Sequence, residues 1–259
     1  MKLSKNLLLL VLITIIWSCK NEKSNTDTAT TTDSKISETT KTTVDIKPIT
    51  HGTLVLESAN ETIYIDPTGG LGAFKGQKKP TLVLITDIHG DHLNIETLEA
   101  LNLKEATLIG PAAVTEKLPK GISKIVVTLN NGDSYDTTNA AIEAIPMYNL
   151  REEALKYHTK GRGNGYLITI NDERIYISGD TEDIPEMRNL KNIDKAFVCM
   201  NLPYTMTVES AASAVLDFKP KKVYPYHYRG TEGLSDVEKF KTLVKDANPS
   251  LEVVLLDWY

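Results

Sequence analysis

The segment that follows the apolar residues 82–85 constrains this chain more than any other. Within six positions it holds four candidate metal ligands, Asp87, His89, Asp91 and His92. The apolar run predicts a buried strand, and because alternate side chains at a strand end point the same way, we expect the first three ligands to share one face. Gly90 permits the backbone bend that would bring the fourth beside them. Imidazole and carboxylate together suit zinc, manganese or iron, so the segment predicts the beginning of a dinuclear metal site.

This spacing resembles the signature of the metallo-β-lactamase superfamily, His-x-His-x-Asp-His directly after a strand. The resemblance assigns metal-ligand roles to His89, Asp91 and His92, whereas Asp87 stands where the signature has its first histidine. A carboxylate oxygen can still ligate there, but it is a harder ligand than imidazole and biases the site from zinc toward manganese or iron. The resemblance also implies an α/β (α+β) fold, the four-layer αββα sandwich, and two divalent metal ions as cofactor.

Two further landmarks of the superfamily follow in the expected order. Residues 175–178 predict a strand that ends in Gly-Asp-Thr, and the resemblance makes Asp180 of that turn the carboxylate that bridges the two metals. Residues 223–226 predict another short strand, and His227 at its end takes the place of a second-site ligand. Each fragment alone is weak, because such turns and strand-end histidines are common in structural roles. Their order and spacing along the chain strengthen both.

The resemblance requires one more ligand for the first metal, normally a histidine after the strand that here spans residues 140–146. No histidine follows at once. We expect His158 to supply this ligand, and Asn149, which occupies the usual place, is the alternative. The intervening loop is long and its path cannot be read from the sequence, so a surface position for His158 stays open.

The chain has five histidines, and His51 is the one left without a predicted ligand role. It precedes the alternating residues 53–57, which predict the first strand of a half-buried hairpin, so we expect a structural role for it. Cys199 lies in an apolar strand pattern and is expected to be a buried, inert thiol.

The amino terminus resembles a bacterial lipoprotein signal. A basic start precedes the apolar residues 7–16, and residues 16–19 are similar to a lipobox, although the bulky Trp17 departs from the small residues usual there. The run is short for a membrane span, so we expect residues 1–18 to be a signal peptide and Cys19 to be lipidated. This predicts a lipid-anchored protein of the cell envelope, at the outer membrane, facing the periplasm or the surface. An ordinary cleaved signal or a retained anchor helix is the alternative.

Residues 19–45 are rich in Thr and Ser and nearly free of apolar side chains, which predicts a disordered tether. Residues 46–259 show no further linker and are long enough for one domain with two layers of sheet. Asn130-Asn131-Gly132-Asp133 is a strong hairpin signal. Strands are predicted at 82–86, 106–109, 125–129, 140–145, 165–170, 174–178, 195–200, 222–226 and 251–255, and helices at 94–101, 111–118, 208–218 and 235–247.

The net charge of −5, with lysines spread along the chain, argues against nucleic acid as a partner. A local basic patch beside His158 is different, because it could hold an anionic group of a substrate. Its members are Lys156, Lys160 and Arg162. The alternative is an ordinary solvated loop.

The mechanism implied by the resemblance is hydrolysis. Two metals would lower the pKa of a bridging water from about 15.7 toward 7, with Asp91 and Asp180 as the catalytic carboxylates that orient it. A metal and a nearby donor would hold the negative charge that develops on the substrate. Candidate donors, which could equally be packing residues, are Tyr204, Tyr226 and Tyr228.

Two functions stay open. The first is a metal-dependent hydrolase (EC 3) of an ester, lactone or phosphodiester in a small-molecule or lipid-derived substrate. Within the superfamily the chain looks most like the branch of ascorbate-6-phosphate lactonase and the phospholipase D that acts on N-acylphosphatidylethanolamines, whereas Asp87 disfavours a β-lactamase. The second is a non-catalytic metal- or ligand-binding envelope lipoprotein. The presence of both Asp91 and Asp180 favours the enzyme, because a degenerate site usually loses such a carboxylate first.

Overall fold

The computed structural model describes residues 43–259. The predicted signal peptide, the predicted lipidation site at Cys19 and nearly all of the predicted tether lie outside the described residues. Within residues 43–259 no helix is both long enough and apolar enough to cross a bilayer.

The secondary structure is dominated by short strands. In chain order the strands are β1 (Asp45–Thr50), β2 (Thr53–Glu57), β3 (Thr62–Ile65), β4 (Leu82–Leu84), β5 (Leu103–Gly110), β6 (Ser123–Thr128), β7 (Ser134–Asp136), β8 (Ala140–Met147), β9 (Gly163–Ile170), β10 (Glu173–Ile177), β11 (Lys195–Val198), β12 (Lys222–Pro225), β13 (Arg229–Gly230), β14 (Gly233–Leu234) and β15 (Glu252–Val253). The helices are α1 (Ile95–Leu101), α2 (Ala112–Thr115), α3 (Pro185–Arg188), α4 (Val208–Phe218) and α5 (Val237–Ala247). Short 3-10 turns occur at Leu71–Phe74 and Glu152–Ala154.

Two sheets contain nearly all of these strands. β1 to β6 form the first sheet in chain order, and the second sheet has the order β15-β12-β11-β10-β9-β8-β7. β3, β4, β5 and β6 run parallel to one another in the first sheet. β10, β11, β12 and β15 are parallel in the second. In each sheet, several loops therefore follow the carboxyl ends of parallel strands on the same side, which is where α/β proteins usually place their sites.

The alternation of side chains along the first sheet explains the layers. Leu54 and Leu84 belong to a large core shared with the second sheet, whereas Val55 and Val83 belong to a smaller core shared with α1 and α2. Successive residues of a strand point to opposite faces, so the first sheet lies between these helices and the second sheet. Phe240 of α5 joins the large core from the far side. The predicted αββα sandwich is confirmed.

The four predicted helices correspond to α1, α2, α4 and α5, and three of them begin one or two residues later than predicted. Side-chain caps explain three of the starts. Asn94, Thr207 and Asp236 each accept a hydrogen bond from the backbone N–H three residues on, which satisfies a donor that the first turn leaves open.

The predicted half-buried hairpin at the start of the domain is only partly correct. β2 and β3 pair as an antiparallel hairpin. Thr53 to Leu56 are buried on both faces, however, because helices cover one side of the first sheet and the second sheet covers the other.

The hairpin predicted at residues 130–133 is wrong. β6 pairs with β5 and β7 pairs with β8, so the turn between β6 and β7 carries the chain from one sheet to the other. The Asp133 carboxylate accepts the Asn130 N–H at 2.9 Å, and Asn131 Nδ2 donates to Gly163 O at 2.9 Å. The turn chemistry is real, but long-range contacts decide which strands pair, and the local signal does not encode them.

The ligand-rich segment is a loop and not a strand end. β4 ends at Leu84, and the backbone N–H groups of His92 and Leu93 both donate to His89 O, at 3.0 and 2.8 Å. The prediction that strand alternation places Asp87, His89 and Asp91 on one face is therefore wrong. A tight turn brings their side chains to the same end of the sandwich.

Gly165 of β9 provides a test of how tightly the atoms are packed at the end of the sandwich where the candidate ligands lie. A Cβ at this position would lie 2.8 Å from Ser178 O and 2.9 Å from Ile177 O, which are backbone atoms of the strand end leading to Asp180. We expect Gly165→Ala to lower the free energy of unfolding by about 1 to 3 kcal/mol, measured by denaturant titration. Gly72→Ala is the control, because nothing lies within 4 Å of its Cβ. Equal losses in both variants would contradict the expectation.

Candidate metal centre

Four loops deliver the predicted ligands to one place. The loop after β4 carries four of them, and the loops after β8, β10 and β12 carry His158, Asp180 and His227. The seven predicted ligands all fall within groups whose ligand atoms lie within 4.8 Å of one another, and these groups are Asp87–His89–His158, His92–Asp180–His227 and His51–Asp91–His227.

The first cluster consists of Asp87, His89 and His158. Asp87 Oδ2 lies 2.8 Å from His89 Nδ1 and 3.8 Å from His158 Nε2. The Asp87 side chain is fully buried, whereas that of His89 is 39% exposed and faces the cleft. The three ligand atoms therefore converge at the inner end of an accessible cavity.

The second cluster consists of His92, Asp180 and His227, with Asp91 beside it. Each Nε2 of the two histidines lies 3.5 Å from an Asp180 oxygen, and Asp91 Oδ2 lies 3.3 Å from His227 Nε2. Asp180 Oδ2 is also 3.3 Å from Nε2 of His158 in the first cluster. Asp180 is thus the residue that faces both clusters.

The second cluster has the features of a cation site. His92 Nε2, His227 Nε2 and Asp180 Oδ1 are buried and lack a hydrogen-bond partner among the described residues. Their separations of 3.5 Å exceed the 2.7 to 2.9 Å usual for charge-assisted hydrogen bonds. They match the distances of about 3.0 to 3.5 Å that separate two ligand atoms bound to the same metal, when each metal–ligand bond is about 2.1 Å long. Burial of such polar atoms without a partner is costly, so the residues present fit a bound metal.

Asp66 orients the ligand His92 from behind. Asp66 Oδ2 lies 2.8 Å from His92 Nδ1, and Thr86 donates to the same carboxylate through its N–H at 2.7 Å and its hydroxyl at 2.6 Å. A carboxylate on the far nitrogen fixes the imidazole tautomer and turns Nε2 toward the metal position. The Asp66 side chain is itself fully buried.

His51 lies at the site, contrary to its predicted structural role. Its Nε2 is 3.3 Å from Asp91 Oδ2, and its ring centroid is 3.8 Å from that of His227. Its Nδ1 lies 2.8 Å from the hydroxyl of Tyr259, which accepts two backbone N–H groups and so keeps its proton for His51. This arrangement leaves an N–H on the side of His51 that faces Asp91. The backbone N–H of His227 donates to His51 O at 3.1 Å, a long-range contact that no local sequence pattern announces.

Gly52 makes room for the ring of His227. A Cβ at residue 52 would lie 2.7 Å from His227 Cδ2, so a larger residue would push against the imidazole. His227 itself has a φ of 46°, in the left-handed region that non-glycine residues rarely adopt. The turn between β1 and β2 and the loop after β12 are therefore fitted to each other.

The structure brings His158, and not Asn149, to the first cluster. Asn149 Nδ2 donates to Ala154 O at 2.9 Å and to Tyr204 O at 2.7 Å. His158 Nδ1 lies 3.1 Å from the same Tyr204 carbonyl, which holds the ring with Nε2 toward Asp87 and Asp180. Asn149 thus fixes the loop that presents the imidazole.

An ion pair between the buried Glu182 and the partly exposed Arg151 anchors the same loop. The Glu182 carboxylate accepts the backbone N–H groups of Leu150 and Arg151 at 2.9 Å and Nε of Arg151 at 2.6 Å. Arg151 also donates to the carbonyls of Pro203 and Thr205. The pair therefore ties the loop carrying His158 to the turns after β10 and β11.

The charges of the second cluster reinforce one another. Burial alone would raise the pKa of Asp180, but the imidazoles of His227, His92 and His158 hold it well below its ordinary value. Burial alone would lower the pKa of His92, but the carboxylates of Asp180 and Asp66 raise it well above its ordinary value. A group of carboxylates that attracts protons this strongly attracts a metal ion for the same electrostatic reason.

The clusters open into a cleft with a volume of about 310 Å³. It is lined by His89, Asp91, Tyr157, His158, Asp180, Asn201 and Tyr204. The predicted substrate residue Tyr204 is therefore in place, and Asn201 and Tyr157 are lining residues that the sequence analysis missed. They follow no motif, and only the packing of two loops brings them to the cleft.

The structure gives other partners to the remaining predicted substrate residues. Lys160 forms an exposed pair with Glu186 at 2.9 Å, and the ring of Tyr228 packs against Tyr259. Neither lines the cleft. Arg162 is only 20% exposed and pairs with Asp87, so its guanidinium faces the first cluster and not an open anion site.

Comparisons with known proteins identify relatives of this chain. A family model described as a beta-lactamase superfamily domain matches residues 45–227. A UPF0173 metal-dependent hydrolase from Pyrococcus horikoshii is 30% identical over 223 residues, which cover 82% of this chain and 96% of the relative.

Solved structures show the same fold. A crystal structure described as a metal-dependent hydrolase, from Parabacteroides distasonis, has 38% sequence identity and a TM-score of 0.73, and the match covers 83% of this chain and 94% of that one. A metallo hydrolase from Ignicoccus hospitalis has a TM-score of 0.68 over 83% of this chain and 95% of that one. Its identity of 22% shows similarity of fold alone.

Asp66→Asn tests whether the Asp66 carboxylate orients the His92 imidazole for metal binding. Asparagine tolerates the left-handed backbone at this position, where φ is 44°, but its NH2 group cannot accept the hydrogen bonds that both carboxylate oxygens now receive. We expect metal affinity to fall by about 10- to 100-fold, measured by calorimetric titration of the metal-free protein. Asp172→Asn is the matched control, since Asp172 is exposed and has a φ of 60°. Unchanged affinity in Asp66→Asn would refute the orienting role.

Proposed function

The chain belongs to the β-lactamase superfamily and is a metal-dependent hydrolase of the metallo-β-lactamase fold, and from this premise we propose that it hydrolyses an ester, lactone or phosphodiester with two divalent ions. Zinc, manganese and iron are the candidates, because the predicted ligand set combines four imidazoles with three carboxylates.

The observation that carries the proposal is the position of Asp180. Its Oδ2 lies 3.3 Å from His158 Nε2 of the first cluster and 3.5 Å from His92 Nε2 of the second. A carboxylate that faces two sets of ligands at once suits a pair of metals and is not needed for a single one. The buried, unpartnered atoms around it support the same conclusion.

The metals would supply the reactive water and polarise the oxygen of the bond under attack. The protein orients the reactants. Asp91 is suited to hold the attacking water, since its side chain is 44% exposed at the cleft and His51 and His227 contact the oxygen Oδ2. Asp180, only 4% exposed, is suited to fix the ligands around it. Asp91 therefore takes the role of orienting the attacking water and Asp180 the role of anchor.

Asn201 is a candidate donor to the negative charge that develops on the substrate. Thr205 donates its hydroxyl proton to Asn201 Oδ1, which leaves the Asn201 NH2 group as the donor available to the cleft. Preorganised amide donors of this kind stabilise transition states in acyl and phosphoryl transfer. Tyr204, in the same short turn, supplies an aromatic wall next to Tyr157, whose ring centroid is 5.0 Å away.

Exposed leucines support a substrate with an apolar part. Leu150, Leu155 and Leu202 are exposed by 48, 45 and 40%, and they lie on the two loops that carry His158 and Asn201. Apolar side chains on these loops are available for contacts with the apolar part of a ligand. A lipid-derived ester or phosphodiester would use such contacts, and a small lactone fits the cleft itself.

The location of the protein is part of the proposal. The lipobox-like sequence ending at Cys19 and the polar residues that follow it support a lipid anchor and a tether in the cell envelope. Metabolic labelling with a palmitate analogue tests this directly, because Cys19→Ser would abolish the label. Resemblance to the branch with the ascorbate-6-phosphate lactonase and the phospholipase D is the basis for screening those substrate classes first.

Asp180→Asn tests the proposed function. Elemental mass spectrometry of the wild-type protein should find two divalent ions per chain, and the variant should lose at least one of them because the shared carboxylate loses its charge. Hydrolysis of a panel of lactones, esters and phosphodiesters should fall at least about 100-fold. Asp172→Asn, at an exposed turn, should retain both the metals and the activity.

Two results would contradict the proposal. A wild-type protein that binds no metal after incubation with zinc, manganese and iron would favour a non-catalytic binding protein on the same fold. Full activity of Asp180→Asn with one metal per chain would show that a single ion suffices.

A further inference from the structure

Arg162 forms a two-pronged ion pair with Asp87 at the edge of the first cluster. Its Nε lies 3.1 Å from Asp87 Oδ1, and one terminal nitrogen lies 2.8 Å from Asp87 Oδ2. The same terminal nitrogen donates to Tyr157 O, which holds the guanidinium in place. Parallel bonds from a guanidinium are the strongest way in which a protein holds a carboxylate. Asp87 therefore has a permanent cationic partner inside the protein.

That partner uses the oxygen that a metal would use. Asp87 Oδ2 faces His89 Nδ1 at 2.8 Å and His158 Nε2 at 3.8 Å, and it is also the oxygen bonded to the terminal nitrogen of Arg162. A metal on this oxygen would lie within about 5 Å of that nitrogen, since metal–oxygen bonds are about 2.1 Å.

The second cluster has no such neighbour. Within residues 43–259, the ion-pair partners of Asp91 and Asp180 are histidines, and no lysine or arginine contacts either carboxylate. The two clusters therefore differ in one respect that matters for a divalent cation. The carboxylate of the first is paired with a guanidinium, which stays charged, whereas those of the second are paired with imidazoles, which give up a proton when they bind a metal.

We propose, on the premise of the two-metal site above, that Arg162 is a built-in counter-ion that weakens the first metal site, so that the two metals load unequally. In the metal-free protein the guanidinium stabilises the buried Asp87 carboxylate, and in the loaded protein it repels the metal. Both effects lower the affinity of the first site. Coulomb's law gives at least about tenfold weaker binding for a divalent ion about 5 Å from a guanidinium, even with the screening of bulk water.

One effect acts in the opposite direction. The two-pronged pair also orients Asp87, and loss of such a partner commonly costs about 10- to 100-fold in metal affinity. In the loaded protein, the metal held by Asp87, His89 and His158 would itself keep the carboxylate oriented without the arginine. Because Asp87 is fully buried, screening is weaker than in water and the repulsion is larger than the bulk value. Repulsion therefore dominates.

The test is calorimetric titration of the metal-free protein with zinc chloride, repeated with manganese chloride. The wild type should show two classes of site whose affinities differ at least tenfold, and His158→Ala should lose the weaker class. Arg162→Met should tighten the weaker class at least tenfold. Arg162→Lys, which keeps the charge, should stay near the wild type. The melting temperature of metal-free Arg162→Met should be lower than that of the wild type, and zinc should restore it.

The control is Arg188→Met, which removes a guanidinium that pairs with Asp183 and Asp217 away from the clusters. It should leave both classes of site unchanged. Arg162→Gln, which keeps an amide donor for Asp87 without the charge, provides the same test if Arg162→Met does not fold. A first-site affinity that is unchanged or weaker in the neutral variants, or two equal sites in the wild type, would overturn the inference. Fewer than two zinc ions bound by the wild type at saturation would instead refute the proposed function.

Discussion

The contact between buried carboxylates and imidazoles at one end of the sandwich is the interaction on which the rest of the structure depends. Asp180 is buried between histidines from three different loops, and several of the facing atoms have no hydrogen-bond partner among the described residues. Burial of such a group costs free energy unless a cation binds to it. The left-handed backbone at Asp66 and His227 shows that the chain accepts local strain to form it.

The two sheets make this arrangement possible because their central strands are buried on both faces. Parallel strands of one sheet have their carboxyl ends on the same side, so the loops after β4, β10 and β12 begin at positions that the sheets hold in place. The long loop with His158 is not fixed by a strand end in this way, and the ion pair between Glu182 and Arg151 holds it instead. Rigidity at the strand ends and hydrogen bonds in the loops together position ligands that are far apart in sequence.

Charge balance gives the two halves of the site different characters. Among the residues that the structure describes, the ion-pair partners of Asp91 and Asp180 are imidazoles, which favours a tightly held metal. Around Asp87 an arginine already neutralises the carboxylate. A protein that holds one metal firmly and the other loosely would become fully active only when the supply of metal is sufficient. This property follows from one arginine that the sequence analysis assigned to substrate binding.

The sequence by itself determined the superfamily resemblance, the αββα class and seven candidate ligands, because Asp87–His92, Asp180 and His227 follow apolar runs whose strand character is local. Only the tertiary structure decided that His158 and not Asn149 faces the first cluster, that His51 and Asn201 reach the site, and that Arg162 binds Asp87. It also decided that residues 130–133 cross between sheets. The physical reason is the same in each case: these outcomes depend on hydrogen bonds and ion pairs between segments distant in the chain, and no periodicity or spacing within a segment specifies its distant partner.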